Sequence, residues 1–495
     1  MTIFEHLPAL LIIIPLLSAL IIPIVSGLFR QAGCYISIAA TFASLIIALF
    51  ILNVVMSGGA ISYQFGGWTA PIGIVYAIDY LNSFVVTIIA FIGFVGALYA
   101  KKSVEAEIDE CKRPQFYTIY ILFITGMMGI VMTGDIFNLY VFIEIASLTG
   151  YALIASGRKR GALLASYNYL ILGSIGASFI LIGIGYLYMM TGTLNMADLS
   201  ERLPALYDSK AIRTAFAFFT VGISLKMALF PLHIWLPEAY TKAPSVVSAV
   251  MSATSTKVFA YILIRIMFTV FGVEFDLNVI PVTKILLVLS AIAIIAGSAV
   301  AIAQTNIKRM LAYSSVGQIG YIVLGVAIAN EVSMSGSLIH ILNHALMKCS
   351  LFLVVGAVIY RTGIEDISAF EGMGRKMPFT MAAFTIGALS MIGLPLTVGF
   401  VSKWYLALGA LKAGMWIIVV VILVSSLLTA IYFWRIVEKI YFKEPSAGTS
   451  GCVEAPIGMV VPTFVMALLC LLFGIFTQLP LSITNRAAAM LLGGG

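Results

Sequence analysis

Apolar residues run along this chain in unbroken stretches of about 20, the length an α-helix needs to cross the hydrocarbon core of a bilayer. Fourteen such stretches predict helices at about 8–28, 33–56, 78–100, 115–133, 136–156, 162–191, 212–236, 244–270, 281–303, 307–330, 335–360, 378–411, 414–441 and 457–480. A transmembrane β-barrel would alternate apolar and polar positions in segments of about ten residues instead. The pattern therefore predicts an all-α polytopic membrane protein, and its polar intervals are too short to fold alone. The opening stretch, MTIFEHLPALLIIIPLLSALIIPIV, has neither a basic leader nor a small-residue cleavage site and reads as a retained first helix.

Composition agrees with the pattern. Of 495 residues, 61% are hydrophobic and 10% charged, against about 25% charged in soluble domains. Charge then orients the bundle. Seventeen of the 28 Lys and Arg residues fall in loops on one side, among them Arg30, Lys101, Arg158, Lys308 and Arg309. The other side holds six: Arg202, Lys210, Arg213, Lys284, Lys412 and Arg486. Positive loops face the cytoplasm, so both termini are expected outside. The net charge of +7 comes from short loops without interleaved aromatics, which argues for membrane topology and against nucleic acid. Cys34, Cys111, Cys349, Cys452 and Cys470 are scattered with no CxxC spacing, so no metal site and no cofactor is expected. The terminal Gly493, Gly494 and Gly495 are assigned no function.

Two predicted helices look broken. The seventh carries Pro231 and Pro237 in FPLHIWLPEAY, and the twelfth carries Gly393, Pro395 and Gly399 in IGLPLTVGFVSK, where a lost backbone donor and a permissive glycine interrupt a helix. Paired breaks in two halves of a chain are the trace of a pseudo-symmetric transporter.

Five basic residues remain inside helices, namely Lys226, Lys257, Arg265, Lys348 and Lys403, and one acid, Glu144. Ionisable groups at that depth cost about 2.5–3.5 kcal/mol each and mark ion or proton pathways. Glu144 reads either as a carboxylate satisfied by a neighbouring hydroxyl or as the charge partner of Lys226, and pairing is favoured. Lys257 follows Ser252, Thr254, Ser255 and Thr256, whose hydroxyls offer it solvation. His340, His344 and Lys348 recur at steps of four along one helix, which suits a proton relay; a His pair at that spacing also suits zinc, but no HExxH motif is present. Lys403 follows the second break. His233 and Glu238, in and after the first break, read as carriers or as caps for exposed backbone groups. Arg265 reads as a long side chain snorkelling to the interface, and Asp79 and Asp135 read as interfacial anchors. His6 carries no assignment.

Together the segments GDIFNLYVFIE, GISLKMALFPLHIWLPEAYTKAPSVVSAVMSATSTKV, QTNIKRMLAYSSVGQIGY, HILNHALMKCSLF and GLPLTVGFVSKW resemble the antiporter-like family shared by Mrp-type multisubunit Na+/H+ antiporters, respiratory complex I and membrane-bound hydrogenases. The resemblance implies a fourteen-helix core with two inverted five-helix repeats: helices 1–3 at 1–110, one repeat at 111–275, the second at 276–445 and a last helix at 446–495. It implies Glu144 and Lys226 as a coupling pair, Lys257 as the connecting lysine, His340 and His344 as relay groups beside Lys348, and Lys403 as the distal lysine. Other membrane subunits, H+ and possible Na+ are the implied partners, in a prokaryotic plasma membrane. Within the family GDIFNLYVFIE is most similar to the D subunit of the Mrp type and its hydrogenase-associated relatives. Lys403 stands where one complex I class has glutamate, Gln318 stands where some complex I members have histidine, and no long lateral helix follows. These features favour an Mrp D-like subunit over a complex I subunit, with a hydrogenase or complex I membrane subunit as the alternative.

Overall fold

The computed structural model describes residues 3–275, 279–445 and 451–493. Gly494 and Gly495 lie outside the described residues, and the expected boundaries at 275/276 and 445/446 fall at stretches that are not described. Helices α1 (Leu7–Leu28) and α2 (Ala32–Gly58) lead into an antiparallel hairpin, β1 (Ile61–Gln64) with β2 (Val75–Ile78), in which Ile61 faces Ile78 and Gln64 faces Val75. Next come α3 (Tyr80–Glu107), α4 (Arg113–Met132), α5 (Ile136–Ala155), α6 (Ala162–Thr191) and a short α7 (Met196–Arg202). Then α8 (Lys210–Met227) and α9 (Trp235–Lys242) flank a break, and α10 (Ser245–Ile264) runs on as a π-helix, Arg265–Phe271. The second half holds α11 (Val282–Ile302), α12 (Ile307–Ile328), α13 (Glu331–Thr362), α14 (Met373–Lys376), α15 (Pro378–Ile392), α16 (Val398–Lys412) and α17 (Trp416–Phe442). Two more follow, α18 (Ile457–Ile475) and α19 (Gln478–Leu491).

This is an all-α polytopic membrane protein. Among the described residues twelve helices are long and apolar enough to cross a bilayer, and the predicted spans at 212–236 and 378–411 each appear as two shorter helices around a break. The hairpin, α7 and α19 were not expected from the apolar runs. They are short or amphipathic, so a 20-residue apolar pattern passes over them.

Burial sorts the helices into layers. α10 and α13 are enclosed along their lengths and α12 nearly so, whereas α1, α6, α17 and α18 bury only one side. The outer faces show Leu20, Ile24 and Leu28 on α1 and Leu423 and Leu427 on α17. Exposed apolar surface on that scale is untenable in water and natural in lipid. Lys257, His340, His344 and Lys348 lie on the enclosed helices.

One local structure occurs twice. At the start of α5, capped by Asp135, Ile136 N donates to Leu194 O (2.8 Å) and Met196 N to Gly134 O (2.9 Å). At the start of α12, capped by Asn306, Ile307 N donates to Glu365 O (3.0 Å) and Ile367 N to Thr305 O (2.9 Å). The paired residues keep a constant sequence offset, and the helices α6 and α13 that feed the two clasps both end in left-handed glycines, Gly192 and Gly363. Following the helices back and forth puts the two clasps on opposite faces of the bundle.

Candidate proton-conducting axis

The two broken helices set the ends of the site. α8 stops at Ala228 (φ 60°) and α15 at Gly393 (φ 88°), each leaving last-turn carbonyls without their helical donors. A helix C-terminus also carries partial negative charge that favours a cation. Both ends hold a buried lysine, reached from opposite sides of the break. Lys226 belongs to the last turn of α8 itself. Lys403 belongs to α16 and reaches back to Met391 O (3.0 Å), Ile392 O (2.8 Å) and Ser426 Oγ (3.0 Å). A Cβ on Gly393 would stand 2.9 Å from Lys403 Cδ, so both the turn and the crossing side chain require glycine there.

Lys226 Nζ donates to Ser147 Oγ (2.6 Å) and Tyr151 OH (3.4 Å) on α5, with the rings of Tyr151 and Phe259 5.9 and 5.8 Å away. Phe259 lies two residues from Lys257, whose Nζ donates to the Ser252 carbonyl and, at 3.4 Å, to Thr256 Oγ1. Lys257 is in turn within electrostatic reach of His340, His344 and Lys348 on α13. Lys348 Nζ donates to Leu311 O (2.7 Å) and to Ser314 Oγ. The rings of His344 and His340 stack at 5.9 Å, and His340 Nδ1 meets Ser402 Oγ at 2.8 Å. Tyr321 bridges the last step, 5.6 Å from the His340 ring and under the Lys403 ammonium at 5.2 Å. A chain of titratable groups thus runs from α5 and α8 through the enclosed α10 and α13 to α16. Along it Glu144 Oε1, His340 Nε2, both His344 nitrogens and Gln318 Oε1 are buried without a protein hydrogen-bond partner.

Several expectations need correction. Glu144 makes no ion-pair contact with Lys226; it is half-buried on α5, and Ser147 and Tyr151, farther along the same helix, take the ammonium. Lys226 still lies within electrostatic reach of Glu144. Arg265 does not snorkel: it is buried and holds Asp79 by two bonds of 2.7 and 3.0 Å. Asp79 is therefore more than an interfacial anchor, since it caps α3 and is that arginine's counter-ion. Glu238 does not cap the first break, whereas His233 is hydrogen-bonded to the Pro231 backbone within it. The His233 ring stacks on Phe230 at 5.2 Å, Glu238 meets Arg309 at the surface at 3.5 Å, and Trp235 Nε1 satisfies Leu225 O at 2.9 Å. Lys308 is no loop residue; it is fully buried in the first turn of α12 and donates to Ala243 O at 2.9 Å.

Ser147, Tyr151, Tyr321, Ser402, Ser426 and Lys308 were missed. Ser147 lies three residues after Glu144 and Tyr321 three after Gln318, so helical spacing offered a signal for both. Nothing in the sequence points to Ser402 or Ser426, which meet the axis only through tertiary packing. Among the described residues no group of three His, Cys, Asp or Glu side chains is placed to hold a metal.

Comparison with known proteins places this geometry. The family model described as NADH:quinone oxidoreductase/Mrp antiporter, transmembrane region, matches residues 133–429, which hold every group of the axis. The chain is 44% identical to the N subunit of the NADH-quinone oxidoreductase of Desulforudis audaxviator (strain MP104C), covering 96% of each. It is 31% identical to the D subunit of the Na(+)/H(+) antiporter of Bacillus subtilis (strain 168), covering 97% of this chain and 96% of that one. Among solved structures, a chain of the membrane-bound sulfane sulfur reductase, an archaeal respiratory membrane complex, matches with a TM-score of 0.91 at 31% identity, covering 98% of each chain.

Proposed function

The chain belongs to the NADH:quinone oxidoreductase/Mrp antiporter family and is an antiporter-like subunit of a multisubunit membrane complex of that kind, and from that premise we propose that it translocates protons along Glu144, Lys226, Lys257, His344, His340 and Lys403, with Lys348 beside the central lysine. The observation that carries this reading is the succession of buried amines and imidazoles between the two helix breaks, with the lysines solvated by carbonyls and hydroxyls. Buried polar atoms without protein partners recur along the same line; ordered water satisfies such groups and completes proton paths. The two clasps on opposite faces support the inverted five-helix repeats at 111–275 and 276–445, with α8/α9 and α15/α16 as the broken members of a fourteen-helix core.

The finer assignment is to the D subunit of an Mrp-type Na+/H+ antiporter, carried by GDIFNLYVFIE and by the lysine at position 403. A second reading, a proton-pumping subunit of a redox-driven complex, is favoured by the 44% identity to a protein named as the N subunit of an NADH-quinone oxidoreductase. Both use the same axis. Lys226→Met and Glu144→Gln are each expected to abolish coupled proton transport in vesicles while the complex still assembles; full transport by either variant overturns the reading. The proteins that purify with the wild-type chain separate the two assemblies: antiporter partners in one case, dehydrogenase or hydrogenase components in the other.

A further inference from the structure

On the face that carries the hairpin, a cavity of about 340 Å³ opens between β1–β2, the start of α3, the turn before α5, and the end of α10. Asp79, Asn82, Thr133, Tyr261, Arg265 and Thr269 are among its lining residues. None of these belongs to the axis described above. Lys257, Tyr261 and Arg265 follow one another at four-residue steps, so they share one face of α10, with Arg265 about 12 Å nearer the hairpin face than Lys257. The cavity reaches Tyr261, one helical turn from the central lysine. Between the cavity and the Lys257 backbone stands the Asp79–Arg265–Tyr261 cluster, and the Lys257 ammonium rests beyond it on the Ser252 carbonyl. The Arg265 guanidinium is bonded to both Asp79 oxygens, to Tyr261 OH (3.3 Å) and to Thr269 Oγ1 (3.3 Å), and Tyr261 OH donates to Val131 O (3.0 Å).

We propose that this cavity is a second, hairpin-side proton vestibule for Lys257, and that the Asp79–Arg265 pair is its gate. Three features suit the pair to opening rather than to permanent stapling. Asp79 keeps the amides of Leu81 (2.9 Å) and Asn82 (3.1 Å) when the arginine leaves, and Arg265 keeps Tyr261 and Thr269. Neither ion is stranded, which is what ordinarily makes breaking a buried pair prohibitive. Arg265 also begins the π-helix of α10, a wider coil that recurs at functional sites. With the pair closed, Tyr261 is sealed against Val131. With it open, water from the vestibule passes the freed tyrosine hydroxyl and continues along α10 toward the Lys257 ammonium at the Ser252 carbonyl.

The inference rests on the proton-translocation reading, and the test keeps the two apart. In the assembled complex, with Cys111→Ser and Cys452→Ser removing accessible thiols, a cysteine is introduced by Thr269→Cys in the vestibule wall or by Lys257→Cys beyond the gate. A membrane-impermeant methanethiosulfonate is then applied from the hairpin face. The vestibule thiol is expected to react with the pair intact. The thiol at 257 is expected to react at least tenfold faster when Asp79→Asn and Arg265→Gln neutralise the pair together. Equal rates at 257 with and without the pair overturn the gate, as does a vestibule thiol that never reacts. If the double variant fails to assemble, Arg265→Lys replaces it, since lysine keeps the charge but loses the two-pronged contact. Proton transport by Lys226→Met is measured in parallel: retained transport there sinks the translocation reading, whereas lost transport with unchanged labelling sinks the gate alone.

Discussion

An ammonium in hydrocarbon needs acceptors, and the buried lysines of this chain find them in carbonyls and hydroxyls rather than in carboxylates. Ser252 O, Leu311 O and the Met391 and Ile392 carbonyls serve Lys257, Lys348 and Lys403, and no described acid lies within ion-pair distance of any of them. A carboxylate in contact would hold the proton, whereas a neutral acceptor solvates ammonium and amine alike and lets the proton leave. Charge in an apolar run was visible in the sequence for that reason: it is costly, so its presence needs an explanation. The identity of the acceptor was not visible, because carbonyls belong to every residue. Lys308 escaped for a different reason, standing beside Arg309 in a polar stretch that reads as a loop. The two neighbours are predicted to behave differently. Lys308→Ala empties a fully buried site and leaves the Ala243 carbonyl unpaired, a loss of about 2–4 kcal/mol. Arg309→Ala removes only a half-exposed pair with Glu238, worth less than about 1 kcal/mol. Thermal unfolding of the two variant complexes checks this, and similar losses would contradict the burial of Lys308.

At the scale of elements, the breaks were legible because proline and glycine carry their backbone consequences with them. What closes each break was not, since Trp235 and Lys403 act across space. Gly399 ties the second break together: a Cβ there would run into Ser390 O, a backbone atom of α15 that does not swing aside. Gly399→Ala is expected to push α16 off α15, draw Lys403 from the Met391 and Ile392 carbonyls, cost about 1–3 kcal/mol and lower coupled transport at least tenfold. Gly185→Ala, in open space on α6, is the control that leaves both unchanged; equal effects would remove the argument. A second contact joins the two halves of the chain. Lys159, between α5 and α6, pairs with Glu365, which also accepts from Asn306 Nδ2 at 3.1 Å. Burial alone would raise the Glu365 carboxyl, but Lys159 foremost, with Lys308 and Asn306, outweighs it and holds the group below its ordinary value. A depressed carboxyl contributes stability above its unfolded value, about pH 4.3, and loses it as pH falls through the lower folded value. The stability gap between wild type and Glu365→Gln, about 1 kcal/mol, is therefore expected to be level from pH 8 to 5 and to close in more acid solution. A gap that widens on acidification would reverse the sign and refute the assignment.

For the whole molecule, the apolar runs sufficed for the class of fold because a bilayer demands one length and one hydrogen-bonding solution from every span. The recurrence of the clasp was fainter. GDI at 134–136 and TNI at 305–307 share little beyond the isoleucine, yet both open a helix with a side-chain cap and clasp the chain returning from the next helix. Backbone geometry repeats there while side chains diverge, so sequence comparison within the chain sees almost nothing. Orientation rests on charge alone: the basic loops lie on the face opposite the hairpin, and by the positive-inside rule they are expected to face the cytoplasm. The chain carries its own probe of that arrangement. Cys111 is exposed beside Arg30 and Glu110 at the turn between α3 and α4, on the basic face, while Cys34, Cys349 and Cys470 are buried. Cys452 is half-buried just before α18, on the same face. A membrane-impermeant maleimide is therefore expected to label the chain in inverted vesicles and to leave it unlabelled in intact cells, with Cys111→Ser removing most of the signal. Labelling in intact cells that disappears with Cys111→Ser would invert the bundle, placing the hairpin vestibule and its Asp79–Arg265 pair on the cytoplasmic side and reversing the direction in which protons meet Lys257.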